Sequence, residues 1–417
     1  MGQANKLNRV VVTGIGTISP LGNNIDEFWK KVRANESGIA PITKFDASEV
    51  GVHVAGEVKD FDPTLTMDRK EYKRMDLFCQ YGIAASVEAV KMSGYDIAAN
   101  ASRVGTLISS GIGGLIEIEN GIRKMIDKGP KRIPPLFVPL TIGNMAAGNI
   151  SMKLGAKGIS MDIVTACASS TNSIGEAFLK IQAGFLDACL AGGCEGTINE
   201  IGIGGFNALT ALSTNEDPTK ASRPFDKDRD GFVMGEGAGV LFLESLDSAQ
   251  ERGAHILAEI VGYGATSDAY HMTAPVPDGS GAGEAVKMAL ASAHITPEQV
   301  SYINAHGTST PTNDSGETTA IKYALGDAAY NIPVSSSKGH FGHLLGAAGG
   351  IEAVICVKAL EDGFIPATLG LETSDEACDL DYVPQTGREA DLQYVLSNSL
   401  GFGGHNAILC FKRWEGK

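Results

Sequence analysis

Short runs rich in β-branched residues alternate along this chain with segments whose apolar positions recur every three or four residues. Residues 9–13 (RVVVT) and 159–164 (ISMDIV) read as buried strands. After the second run, Ile174, Ala177, Phe178 and Ile181 keep the i, i+3, i+4, i+7 spacing of one helix face. Residues 300–305 (VSYINA) predict a further strand, and Ala347, Ile351, Val354 and Ile355 a second helix face. Near the end, residues 394–398 and 406–412 are strand-like runs joined by a glycine-rich turn, the pattern of a hairpin. Alternating strands and helices predict an α/β fold with mostly parallel sheets.

One pattern occurs twice. RVVVT leads into Gly14-Ile15-Gly16-Thr17-Ile18-Ser19, and residues 258–261 (AEIV) lead into Gly262-Tyr263-Gly264-Ala265-Thr266-Ser267. A strand followed by G-x-G-x-x-S in both places reads as two similar halves, residues 1–256 and 257–417. No low-complexity linker separates them, so a large shared interface is expected. The first copy nearly matches a dinucleotide-binding loop, but Ser19 and Pro20 stand where the third glycine and the helix start belong. A structural turn is expected there. Residues 226–231 (DKDRDG) imitate a calcium loop, yet its twelfth position is Gly237 and residues 239–243 read as a strand, so calcium is not expected.

Composition narrows the classes. A chain of 417 residues can bury a large core, and 52 glycines set between apolar runs imply tight turns and close backbone packing. The net charge of −15 argues against non-specific nucleic-acid binding. No apolar stretch is long enough to span a membrane. The start, MGQANKLNRV, lacks the apolar core of a secretion signal, and Lys6 stands where a myristoylation site needs Ser or Thr. A cytoplasmic location is expected, although a mature plastid protein would look the same. Seven cysteines without a C-x-x-C pair point to a reducing compartment and to neither disulfides nor a metal site.

Six of those cysteines fit small buried hydrophobes: Cys79, Cys189, Cys194, Cys356, Cys378 and Cys410. Cys167 differs, because TACASS at 165–170 lies between a strand end and a helix start, where free backbone N–H groups and the helix dipole favour a thiolate. His306, in 304–311 (NAHGTSTP), follows a strand and opens a polar loop. Lys338 and His343 lie in 335–349 (SSSKGHFGHLLGAAG), beside a helix of small residues, where burying them requires partners. Residues 401–404 (GFGG) flank one aromatic, Phe402, with flexible backbone. A thiol, two imidazoles and an ammonium at strand ends suit acyl transfer through an acyl-thioester. No carboxylate base accompanies the thiol, which fits a carbanion made by decarboxylation rather than by proton removal.

These segments, with RPFDKDRDGFVMGEGAG at 223–239 and SNSLGFGGHN at 397–406, closely resemble the β-ketoacyl-[acyl-carrier-protein] synthases of the thiolase superfamily, essentially end to end. SDAYHMT at 267–273 resembles the type II elongating branch, and the Cys-His-His set sets the chain apart from the type III initiating enzymes, which resemble Cys-His-Asn. The resemblance implies a thiolase-like five-layered α-β-α-β-α fold of two similar fused halves. It implies fatty-acid chain elongation on acyl carrier protein by a homodimer, with no cofactor beyond the carrier's phosphopantetheine. Cys167 would hold the acyl chain, and the N–H groups of Cys167 and Phe402 would form an oxyanion hole. His306 and His343 would stabilise the enolate, supported by Lys338. Thr308 and Thr310 would bind the pantetheine arm, Phe402 would gate the site, and Ile112 would line the acyl pocket. Arg69, Lys70, Lys73, Arg74, Lys131 and Arg132 would dock the acidic carrier protein, whereas a further basic family position is Thr210 here. After the active lysine the usual small or hydroxyl residue and Met or Ala are replaced by Gly339-His340, expected to be local structure or pocket wall.

Three other readings are weighed. A polyketide ketosynthase shares the Cys-His-His set, but no acyltransferase or carrier region is fused here. A degradative thiolase needs a second reactive cysteine in a glycine-rich motif, whereas Cys410 falls in a strand pattern. A non-catalytic ketosynthase partner lacks the nucleophile that Cys167 supplies.

Overall fold

A computed structural model describes residues 7–416; the amino-terminal stretch with Lys6 lies outside the described residues. Ten strands form the central sheet: β1 (Val10–Ile18), β2 (Val104–Ser109), β3 (Ser160–Met161), β4 (Ala188–Glu195), β5 (Gly237–Ser245), β6 (Ala258–Ser267), β7 (Val300–Asn304), β8 (Val334–Ser335), β9 (Tyr394–Gly401) and β10 (His405–Arg413). Their spatial order is β8-β7-β9-β10-β6-β1-β5-β4-β2-β3. Read outward from the middle, β1-β5-β4-β2-β3 and β6-β10-β9-β7-β8 are the same arrangement. Each starts with two antiparallel pairings and ends with two parallel ones, so the sheet is mixed rather than mostly parallel as expected: parallel pairing, through helical crossovers, is confined to the outer strands. The two sets meet where Val10, Val11 and Val12 pair antiparallel with Ile260, Glu259 and Ala258.

Helices complete the layers. α1 (Leu77–Ser93) lies on β1 and β5, and α4 (Ser280–Ala293) lies on β6 and β10. α3 (Ser169–Gln182) and α6 (Ala348–Asp362) touch each other and strands of both sets, forming the middle layer. α2 (Leu115–Lys128) and α5 (Pro311–Leu325) lie farther out. The expected faces are the buried ones: Ile174, Ala177, Phe178 and Ile181 on α3, and Ile351, Val354 and Ile355 on α6. α6 is buried along nearly its whole length, which explains its weak amphipathic contrast.

The sequence reading fails at two strands. Gly14 to Ile18 is not a turn but the second half of β1, and Gly262 to Ser267 likewise continues β6. A Cβ at Gly14 or Gly16 would lie 2.0 Å from the carbonyl oxygen of Ala89 or Ala85 on α1. At Gly262 or Gly264 it would lie 2.3 or 2.0 Å from that of Ala289 or Ala285 on α4. The repeated G-x-G is therefore where a helix presses its backbone onto a strand, in each half alike. The second failure is β3, only Ser160–Met161. Beyond it the chain turns inward: Asp162 accepts from the Ser110 N–H (3.3 Å) and the Ile163 N–H donates to Ser109 Oγ (3.0 Å).

Candidate active site

The inward turn after β3 delivers Cys167. A single 3₁₀ turn, Ala166–Ala168, runs directly into α3. Ala166 has φ of 51°, in the left-handed region, which costs a non-glycine residue about 1 kcal/mol. Side chains hold the turn: Ser169 Oγ donates to Ala166 O (2.6 Å), the Thr165 N–H donates to Ser169 Oγ (2.9 Å), and Thr165 Oγ1 bonds Asn172 Oδ1 (2.6 Å). Gly401, at the end of β9, packs on this turn; a Cβ there would come within 3.2 Å of the Cys167 nitrogen. The glycine-rich turn carrying Phe402 is thus seated on the backbone of Cys167.

The second half supplies the imidazoles. His306 sits just past β7, its N–H and that of Gly307 each donating to Glu317 of α5 at 2.8 Å. His343 follows β8, and the Leu345 N–H donates to its Nδ1 at 3.2 Å. Lys338 places Nζ 3.4 Å from His306 Nδ1 and forms a buried ion pair with Glu352 of α6. In both rings Nδ1 faces a donor, so the neutral imidazole carries its proton on Nε2. Burial first, and then the Lys338 charge, hold both rings well below the usual histidine range. They are neutral hydrogen-bond donors near pH 7. The rings stand 5.2 Å apart and nearly perpendicular, and one ligand-type atom each of Cys167, His306 and His343 lies within 4.8 Å of the others.

These groups share a cavity of about 290 Å³, whose walls include Phe402, Thr308 and Thr310. The two threonine hydroxyls are 2.9 Å apart, and the Phe402 ring faces that of Phe206. Lys338 stands behind His306 rather than in the wall. The structure thus brings together Cys167, His306, Lys338, His343, Phe402, Thr308 and Thr310. It does not bring Ile112 to them: that side chain is 38% exposed on the outer surface of the single chain. Arg69, Lys70, Lys73, Arg74, Lys131 and Arg132 are exposed, on the short helix Arg69–Tyr72 and its exit, and on the turn Pro130–Arg132. Thr210 lies at the cavity with φ of 53°.

One electrostatic expectation is reversed. The start of α3 was expected to lower the Cys167 thiol, but burial pushes it up to about 12; Lys338 pulls it down, and Glu195 and Glu352 add to the rise. Without substrate Cys167 is a thiol. His340 is local structure: its ring is buried with Nδ1 2.9 Å from Glu36 O and Nε2 3.2 Å from Ala367 O, away from the cavity. The other six cysteines are buried. Asp226 binds the N–H groups of Glu372 and Thr373 at 2.8 and 2.7 Å, so that carboxylate of the calcium-like segment ties two loops together. Sequence reasoning missed Glu317, Glu352 and Glu195. The one available signal was Glu352, an acid inside an otherwise apolar helix face.

Comparison with known proteins agrees with this arrangement. Residues 7–249 match the family described as “Beta-ketoacyl synthase, N-terminal domain” and residues 257–372 match “Beta-ketoacyl synthase, C-terminal domain”. A Synechocystis relative named 3-oxoacyl-[acyl-carrier-protein] synthase 2 is 53% identical, over 98% of each chain. A Staphylococcus aureus relative of the same name is 52% identical over 98% of this chain and 99% of its own. Among solved structures, a β-ketoacyl synthase from Burkholderia phymatum superposes with a TM-score of 0.91 at 34% identity, over 98% of this chain and all of its own. A type II polyketide ketosynthase in complex with its acyl-carrier protein gives 0.91 at 32%, with the same coverage. With the Cys167 thiol on one half and its paired imidazoles on the other, this chain belongs to the β-ketoacyl synthase family.

Proposed function

We propose that this protein catalyses the elongating condensation of fatty-acid synthesis, joining malonyl-[acyl-carrier protein] to an enzyme-bound acyl chain to give 3-oxoacyl-[acyl-carrier protein]. The observation that carries this reading is the pair of buried, neutral imidazoles, each with its proton on Nε2, beside a single thiol. Donors of that kind suit an enolate oxygen, whereas a hydrolase would need a base aimed at water.

In the first half-reaction the Cys167 sulfur attacks the thioester carbonyl of an acyl carrier protein. The C–S bond to the carrier breaks, and the thiol proton leaves with the carrier's sulfur. The N–H groups of Cys167 and Phe402 serve the oxyanion. In the second, malonyl carrier protein places its thioester oxygen between His306 and His343, with its pantetheine arm along Thr308 and Thr310. The carboxylate's C–C bond breaks, CO2 departs, and its electron pair becomes the enolate that the two imidazoles stabilise. The enolate carbon attacks the acyl-Cys167 carbonyl, and collapse breaks the C–S bond and expels the Cys167 thiolate, which takes a proton from solvent. Carbon dioxide release supplies the driving force, so the reading requires no resident metal or redox cofactor.

The reading extends to partners and place. Ile112, Ile126, Leu136 and Val138 are exposed in the segment between β2 and β3, and β3 is itself an exposed strand at the edge of the sheet. A second copy covering it would make a homodimer and complete the acyl pocket at Ile112. The exposed cations at 69–74 and 131–132 would steer the acidic carrier protein against the chain's own charge of −15. Neither nucleic acid nor membrane is a partner in this reading, and the cytoplasm is its location.

The test is product mass after mixing the protein with an acyl-carrier-protein thioester and malonyl carrier protein. A carrier-bound 3-oxoacyl chain two carbons longer, absent with Cys167→Ala, is expected. Acylated Cys167 without CO2 release would turn the assignment towards a polyketide extender, and no acylation would favour a non-catalytic partner subunit.

A further inference from the structure

Glu195 is a buried carboxylate that the reaction above leaves unused. It ends β4 and is fully enclosed. Oε1 accepts from Ser110 Oγ (2.7 Å), and Oε2 accepts from the N–H groups of Gly111 (2.8 Å) and Gly346 (3.0 Å). Gly346 has no room for a side chain, since a Cβ there would lie 2.1 Å from the Gly111 nitrogen, and Gly111 is tight, with a Cβ 3.2 Å from the Gly346 nitrogen. Two backbone segments far apart in sequence therefore touch with one carboxylate clamped between them.

The two segments lead to different parts of the site. Ser110 and Gly111 run into Ile112, and Ser110 Oγ also accepts from the Gly113 N–H (2.9 Å). Gly346 follows Leu345, whose N–H holds His343 Nδ1, and Gly346 O accepts from Ser170 Oγ at the start of α3. The carboxylate thus stands one residue from the N–H that fixes the tautomer of His343. Burial raises it to about 7, opposed by Ser110 and the backbone N–H groups. Protonated, it would donate to Ser110 Oγ and still accept both N–H groups through Oε2.

We propose that Glu195 is a positioning residue for His343. By pinning the Leu345–Gly346 turn it keeps the Nε2–H of His343 aimed at the malonyl oxygen, and through Gly111 it ties that aim to the segment bearing Ile112. The inference rests on the condensation reading. Its signature is a split between half-reactions, because CO2 release needs His343 whereas loading of Cys167 does not.

The experiment measures CO2 release from malonyl carrier protein and Cys167 acylation from a short-chain acyl carrier protein, in wild type, Glu195→Ala and Glu195→Gln. Wild-type activity in both assays establishes the condensation reading; its absence would sink that reading before the variants are considered. Given it, Glu195→Ala should lower CO2 release by about tenfold or more and leave acylation within about threefold. Glu195→Gln should restore release, since its amide oxygen can accept both N–H groups while its NH2 faces Ser110 Oγ. If Glu195→Ala does not fold, Glu195→Asp carries the same expectation, its shorter side chain being unable to span both glycines. Equal losses in both half-reactions, unchanged CO2 release, or no rescue by Gln would overturn the proposal.

Discussion

The division of labour at the site is sharp enough to separate by single substitutions. Cys167→Gln removes the proposed nucleophile but leaves both imidazoles in place, so condensation should vanish while CO2 release from malonyl carrier protein persists or rises. His343→Ala should abolish that release. Equal loss of CO2 release in both folded variants would refute the assigned roles. The same assay in Cys167→Gln reads the state of the imidazoles. Their proton affinities lie well below 6.5, so the donating neutral form is the populated one above that range. CO2 release should hold steady from about pH 8 to about pH 6, with any acid loss beginning lower; a fall centred near 6.5 would contradict the buried, Lys338-repelled environment. Lys338 makes a second demand. Removing its partner with Glu352→Ala strands a buried charge, so thermal unfolding should show a loss of about 3–5 kcal/mol. Cys167, His306, Lys338 and His343 were legible as residues because polar, reactive groups interrupt apolar patterns at strand ends. Glu195 and Glu317 were not, since their partners, Ser110, Gly111 and Gly346 for the one and His306, Gly307 and Asn398 for the other, meet them only in the folded chain.

At the level of single elements, periodicity identified the apolar faces of α3 and α6, both largely buried, and the β9–β10 hairpin, whose turn is rich in glycine. It shortened β1, because Gly14 and Gly16 resemble a turn until a helix is packed on them. It lengthened β3, because nothing local tells an edge strand where its pairing stops. The packing explanation has a direct check. Gly264→Ala places a methyl group 2.0 Å from the Ala285 carbonyl oxygen and should lower stability by at least about 1–3 kcal/mol. Gly204→Ala, in the helix Glu200–Ala208 with open space around it, should be neutral or raise stability by up to about 1 kcal/mol. Chemical denaturation of both variants checks the pair, and similar losses at the two sites would disprove close approach as the reason for the G-x-G repeat.

Over the whole molecule, two five-stranded sets in the same order place the thiol on one and the imidazoles on the other, with α3 and α6 packed between. The exposed apolar side chains between β2 and β3 carry the prediction for assembly. On the proposed homodimer, Val138→Asp and Ile126→Asp should shift sedimentation from a dimer towards a monomer and reduce elongation of long acyl chains, and a wild-type protein that sediments as a monomer would overturn it. Charge reversal at Lys70 and Arg74 should instead raise the KM for carrier protein, with the defect shrinking at high salt, and leave the assembly intact. The seam between the two sets is narrow among the described residues: Val10, Val11 and Val12 pair with Ile260, Glu259 and Ala258 along the sheet, while the middle helices contribute most of the remaining contact. A polypeptide cut in the connection between β5 and β6 would then yield two fragments, each with half a reaction centre and an uncovered helix. Expressed separately, neither should bind or turn over substrate; produced together, they should find each other through α3 and α6 and recover catalysis as a complemented pair.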